Sequence, residues 1–348
     1  MERHNKLLSL LLAIILIMLV IPLMGMYKNI TISEPYDYSV HKVDGWRELS
    51  RFDKSVLFQV PTNTANLMTT DALLQTFLDY PFAIDLIVYN TYRQGFLSLY
   101  NEFEPLRILT NRNDLPDAII KKYQSLSILG DSRSSHEQAS MIFLIVLCTQ
   151  REIYTLFNDD NVDNFLNIIS YNDYSILASH MTIFCSQDDI NLFQNVTRAT
   201  VKTPKGTNVT VIDRTFLPNW SASEQLSINN EITSSYAVTI VGQPTKYYNC
   251  HSYAWYLSNA GNLYWMDNPS AYMSDGSYSK VTGIVAIGDK HYMNPTHSGI
   301  VSSISNSTVY IVSKWGEAGL YLGTTSQLPA DYFYTHSPYN YTGSSQWR

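Results

Sequence analysis

From Met68 to about residue 185, apolar positions recur three and four residues apart. That spacing predicts helices that bury one face. In "TTDALLQTFLDYP" it puts Leu73, Leu74, Phe77 and Leu78 on one face, with Thr69 or Thr70 as the cap and Pro81 as the stop. "PFAIDLIVYNTYRQGFLSLYNEF" continues the pattern. "NDLPDAIIKKYQSL" offers Asp114 as a cap and Pro116 in the first turn. "SSHEQASMIFLIVLCTQREIYTLFN" starts at Ser134 or Ser135 and reads as a largely buried helix. Shorter helical stretches follow around 162–169 and 173–185. No repeat of fixed period occurs. Residues 61–190 are therefore expected to form an all-helical domain, preceded by a linker or packed arm over 27–60.

Near residue 195 the pattern changes. In "ATVKTPKGTNVTVIDRT", Thr and Val alternate around Pro204-Lys205-Gly206, which predicts strand, turn, strand. "SASEQLSINNEITSSY" predicts a helix capped by Ser221 or Ser223. These elements form a connector over 191–240. After it comes "KYYNCHSYAWY", in which Cys250 opens a helical stretch. "GIVAIGDKHYM", "HSGIV", "STVYIVSKWG" and "GLYLGT" then predict an antiparallel sheet. The chain as a whole reads as α+β: a helical N-terminal domain, then over 241–348 a helix packed on an antiparallel sheet.

Composition narrows the classes. With 45% hydrophobic residues in 348, the chain has material for real cores. A net charge of −7, without a basic stripe, argues against nucleic-acid binding. The N-terminus carries Arg3 and Lys6 ahead of an uncharged apolar run from Leu7 to Met26. This is an export signal, long enough to span a bilayer. Cleavage as a signal peptide (1–26) and anchoring through residues 7–26 are both open. Either way, the bulk of the chain is expected outside the cell. Three cysteines, Cys148, Cys185 and Cys250, allow at most one disulfide. The apolar neighbours of Cys148 and Cys185 favour core thiols over a bridge between them.

Cys250 has a second reading, as a nucleophile. A thiolate attacks carbonyls, and a helix start or a nearby imidazolium promotes it. His297, at the start of "HSGIV", supplies an imidazole if its strand packs against the Cys250 helix. Ser298 and Gly299 are small enough to let another chain approach there. The plain alternative is a structural cysteine and a surface histidine. No HExxH, CxxC or P-loop occurs, so no metal and no cofactor is expected. His251 reads as a rim residue, and His291 has no metal-ligand spacing. Of Trp255, Trp265 and Trp315, the last is the strongest candidate for a substrate groove, because it follows a strand end.

"NCHSYAWY", "GDKHY", "HSGIV" and "VYIVSKWGEAGLY" together resemble the papain-like cysteine peptidase and amidase superfamily, in particular the CHAP amidases and NlpC-like peptidases of bacterial cell walls. Over about 45–345 the chain also resembles a group of secreted bacterial proteins joining such a helical module to a Thr-Pro-x-Gly hairpin and a Cys-His domain. The resemblance implies Cys250 as nucleophile and His297 as general base, through an acyl-enzyme. It implies an oxyanion hole at the Cys250 N–H, with Gln243 as a second donor. The family's third catalytic residue lies on the following strand, where this chain offers Ser313, Lys314 and Glu317. Lysine cannot accept from an imidazole N–H, which leaves Ser313, Glu317 or a carbonyl. The expected function is an exported thiol-dependent amide hydrolase acting on cell-wall peptide. The rival is a papain-like binding or adhesion module with weak or no turnover.

Overall fold

The structure is a computed structural model and describes residues 31–180, 197–293, 297–328 and 344–348. The apolar run 7–26 and Cys185 lie outside these residues. Among those described, no helix is long and apolar enough to cross a membrane.

The chain is α+β, with helices first and antiparallel sheets after. The helical part comprises α1 (Arg51–Leu57), α2 (Thr62–Leu67), α3 (Thr70–Leu78), α4 (Asp85–Val88), α5 (Tyr92–Glu102), α6 (Glu104–Leu109), α7 (Leu115–Leu129), α8 (Ser135–Cys148), α9 (Arg151–Tyr154), α10 (Asp159–Leu166) and α11 (Tyr171–His180). Side chains set the helix starts. Thr69 caps α3, and Thr91–Gln94 and Ser134–Glu137 form capping boxes on α5 and α8. Asp114 departs from expectation. It sits before α7 without capping it, and its carboxylate instead accepts from Thr70 Oγ1 at 2.7 Å.

Strands β1 (Thr197–Lys202) and β2 (Asn208–Asp213) form the expected hairpin. A second helix pattern gives α12 (Ala222–Ser235), with a Ser221–Glu224 capping box. Then come β3 (Thr239–Gly242), β4 (Tyr264–Trp265), α13 (Ser270–Ser274), β5 (Lys290–Met293), β6 (His297–Ser305), β7 (Thr308–Lys314), β8 (Leu320–Thr324) and β9 (Ser344–Trp347). One sheet has the order β1-β2-β4 and the other β3-β8-β7-β6-β5-β9, with every pairing antiparallel. The strand expected from Gly283 shortens to β5. Ile284 in the skipped part is 91% exposed, so its apolar run has nothing to cover it.

One buried cluster joins the two parts. It runs from Tyr38, Phe58 and the helices through Trp220, Ile228 and Ile232 of the α12 region to Met293, Trp315, Tyr321 and Leu328. The segment after residue 30 thus packs into the core. An ionic knot lies within it. Arg51 bonds Asp85 at 2.8 Å and Glu102 at 2.5 Å, and the Tyr236 hydroxyl donates to Asp85 at 2.5 Å. The Lys54 ammonium donates to the Ser235 carbonyl at 3.0 Å and to Gln327 Oε1 at 3.1 Å. The opposite face of the larger sheet holds Tyr248, Tyr253, Val312 and Leu320, against the segment that carries Cys250.

Candidate active site

The Cys250 turn is entered through Asn249. Its Oδ1 accepts from the Ser252 and Met266 N–H groups, each at 3.1 Å, and its Nδ2 donates to the Met266 carbonyl at 2.8 Å. This is an N-cap that also ties the turn to the chain beside β4. Cys250 and His251 begin the helix, which widens into a π-turn over Ser252–Tyr256. Trp255 closes the underside among Tyr272, Tyr278 and Tyr292.

Cys250 is 1% exposed. Its sulfur donates to Asn90 Oδ1 at 3.3 Å, and the Ser298 backbone N–H points at it. Burial pushes the thiol up to about 12; the Ser298 and His251 N–H groups and the Lys314 charge pull the other way without offsetting it. His251 is buried, not at a rim. Its Nδ1 lies 2.7 Å from Ser298 Oγ and its Nε2 lies 3.4 Å from Asn90 Nδ2. Ser298 Oγ also accepts from Trp255 Nε1 at 2.8 Å.

His297 lies one residue from the N–H that meets the sulfur, but its ring does not. Ser298 pairs with Tyr292 and His297 with Met293. Strand alternation sends the first pair toward the Cys250 turn and the second toward the main core. Among the described residues no hydrogen bond joins His297 to Cys250, and His297 Nε2 has no partner. Burial, with His251 and His291 nearby, holds the His297 pKa down to about 3. Thiol and imidazole are therefore both neutral at pH 7 in this arrangement.

The other predicted residues lie elsewhere. Ser313 is buried and its Oγ accepts from Trp315 Nε1 at 3.1 Å. Trp315 is 1% exposed and packs between Tyr236 and Tyr321, so it fills the core and walls no groove. Its strand turns back at once, through an N–H bond from Trp315 to the Gly319 carbonyl. Glu317 accepts from the Tyr92 hydroxyl and from Arg214, both at 2.6 Å. Gln243 Oε1 accepts from Asn229 at 2.9 Å. Gly299 does serve a close approach, but the neighbour is β7: a Cβ there would sit 2.3 Å from Ile311 Cγ2.

The sequence reading missed Asn90 and set Lys314 aside. Asn90, from the segment between α4 and α5, reaches both Cys250 and His251. Its only local signal is its place just before the Thr91 cap. Lys314 is buried and donates to the carbonyls of Thr245 at 2.9 Å and of Gly316 and Ala318 at 2.7 Å. Burial brings its pKa down to about 7. It ties the approach to Cys250 to the loop after β7. Beside Asn90 opens a cavity of about 320 Å3, walled by Tyr89, Tyr92 and Trp265, with Arg214, Asp267 and Glu317 as its charged side. Trp265, not Trp315, thus lines this cavity, and Arg214 stacks over its ring at 4.3 Å. No group of three His, Cys, Asp or Glu side chains among the described residues is placed to hold a metal ion. Compared with protein-family models, curated proteins and solved structures, the chain finds no match.

Proposed function

We propose that the chain is an exported thiol-dependent amide hydrolase of papain-like type, with cell-wall peptide as its substrate class. The observation that carries this reading is the position of Cys250. It opens a helical turn against a strand that begins with His297, a backbone N–H meets its sulfur, and Asn90, which it bonds, lines a cavity. In this reading the sulfur attacks the amide carbonyl carbon and its proton passes to the His297 imidazole. The leaving amine takes that proton as the C–N bond breaks. Water then cleaves the thioester and restores the thiol. His297 must turn toward the sulfur for the first step.

A second reading has its own support. Both groups are neutral and the sulfur is covered, which suits a binding module of the same fold with no turnover. The test is release of new amines from purified peptidoglycan and from its soluble peptides. Wild-type release that Cys250→Ala abolishes, by at least about 10³-fold, supports hydrolysis. Equal rates for the two proteins, with the peptides still bound, would establish the binding module.

A further inference from the structure

We infer that Asn90 is a positioning residue of the Cys250 site: delivered by the helical layer, it covers the resting sulfur, keeps it a thiol and fixes the His251 tautomer. The argument begins at Asn249. Its Oδ1 accepts two backbone N–H groups and its Nδ2 donates to a carbonyl, so the orientation of that amide is determined. The remaining hydrogen on Nδ2 points at Asn90, 3.3 Å away, and requires an oxygen there. Asn90 therefore presents Oδ1 to Asn249 and to Cys250, and Nδ2 to His251. An oxygen at the sulfur accepts from S–H and gives nothing to a thiolate. A donor at His251 Nε2 makes that nitrogen an acceptor, so the proton sits on Nδ1 and goes to Ser298 Oγ.

The segment carrying Asn90 is firmly docked. The Glu317 N–H donates to the Ile87 carbonyl at 2.9 Å and Tyr92 bonds the Glu317 carboxylate. Gly316, at φ +47°, leaves no space there: a Cβ would lie 2.3 Å from the carbonyl oxygens of Ile87 and Tyr89. Asn90 also lines the cavity, so one side chain touches both the sulfur and the open space beside it. The titratable groups around the sulfur are His251 on its own turn, Tyr292 on β5, Lys314 on β7 and His297 at the start of β6, with Glu317 behind Lys314.

The consequence for turnover rests on the proposed function, but the thiol chemistry is measurable without it. The full chain is alkylated with iodoacetamide from pH 6 to 10, as wild type, Asn90→Ala and Asn90→Asp, with modified cysteines assigned by peptide mass. Alanine removes the cover and admits water. Cys250 should then react about tenfold faster at pH 8, as expected for a one-unit fall in pKa. Aspartate keeps the shape but sets a negative charge beside the sulfur, so the rate should fall below wild type across the same pH range. Cys148 should not respond to either change. Both variants accelerating together, or neither changing the rate, would overturn the inference, since loosened structure alone cannot give opposite signs. Asn90→Ser repeats the alanine arm if that variant does not fold. Opposite shifts in a protein that cleaves no peptide would leave this inference standing and remove the hydrolase reading.

Discussion

Cys148 and Cys250 are equally hidden from solvent and otherwise unalike. Cys148 ends α8 at 0% exposure within the main apolar cluster, and burial alone raises its pKa. Cys250 is just as enclosed, but Asn90, the Ser298 N–H and the Lys314 charge converge on it. Buried polar groups are costly unless they are paired. Their convergence around one sulfur is thus a specified arrangement, whereas the Cys148 site needs only volume. Burial does not separate a structural thiol from a chemical one. What separates them is which polar groups share the burial.

The strongest way to break this contrast is Gly316→Ala. The added methyl meets two carbonyls in a left-handed backbone position, at a cost of about 3–5 kcal/mol. The melting temperature should drop, and Cys250 alkylation in native buffer should rise while Cys148 stays protected. Equal exposure of both thiols would mean that the segment docked on Gly316 does not shield Cys250 in particular.

Acid should discriminate next. His297 is neutral when folded, with its pKa lowered from 6.5 to about 3. The unfolded chain takes up this proton first as pH falls. Stability from this group is therefore complete above pH 6.5 and is lost as pH falls toward 3, by about 3 kcal/mol between pH 7 and pH 4. Urea unfolding at both pH values should show His297→Gln losing less stability on acidification than wild type. An unchanged difference would mean that His297 is solvated in the folded protein.

The mildest probe is a pair of Cys→Ser exchanges. Serine at 148 buries a hydroxyl among apolar side chains and should cost about 1–2 kcal/mol more than serine at 250, where acceptors and donors already stand. Chemical denaturation reads the difference, and equal costs would erase the distinction between the two sites.

Local order was legible where caps and spacing agreed. The starts of α3, α8 and α12 fall at residues named from sequence, β6 and β7 follow their Val- and Ile-rich runs, and β8 follows "GLYLGT". Cys250 at the opening of a helical turn was legible too. The site's partners were not. Asn90 lies 160 positions from Cys250, and its neighbourhood marks only the helix cap that follows it. Trp315 was misplaced because a residue after a strand can turn inward as readily as outward. Only the tight return to Gly319 decides that, and it depends on Gly316 meeting the Ile87 and Tyr89 carbonyls. The orientation of the His297 ring depends on the β5 register, which its own strand does not encode.

Lys54 carries a consequence for the order in which the chain appears during synthesis. Its acceptors, the Ser235 carbonyl and Gln327 Oε1, lie 181 and 273 positions downstream. When the helices up to residue 180 have emerged, this ammonium has neither partner. Arg51 likewise lacks the Tyr236 hydroxyl, 185 positions on. A buried cation without acceptors is strongly destabilising, so Lys54 favours closure of its pocket only after residues 235 and 327 have been made, whereas Arg51 already has Asp85 and Glu102. The pocket around Lys54 is therefore among the last parts of the helical half to close, after residue 327 has been made.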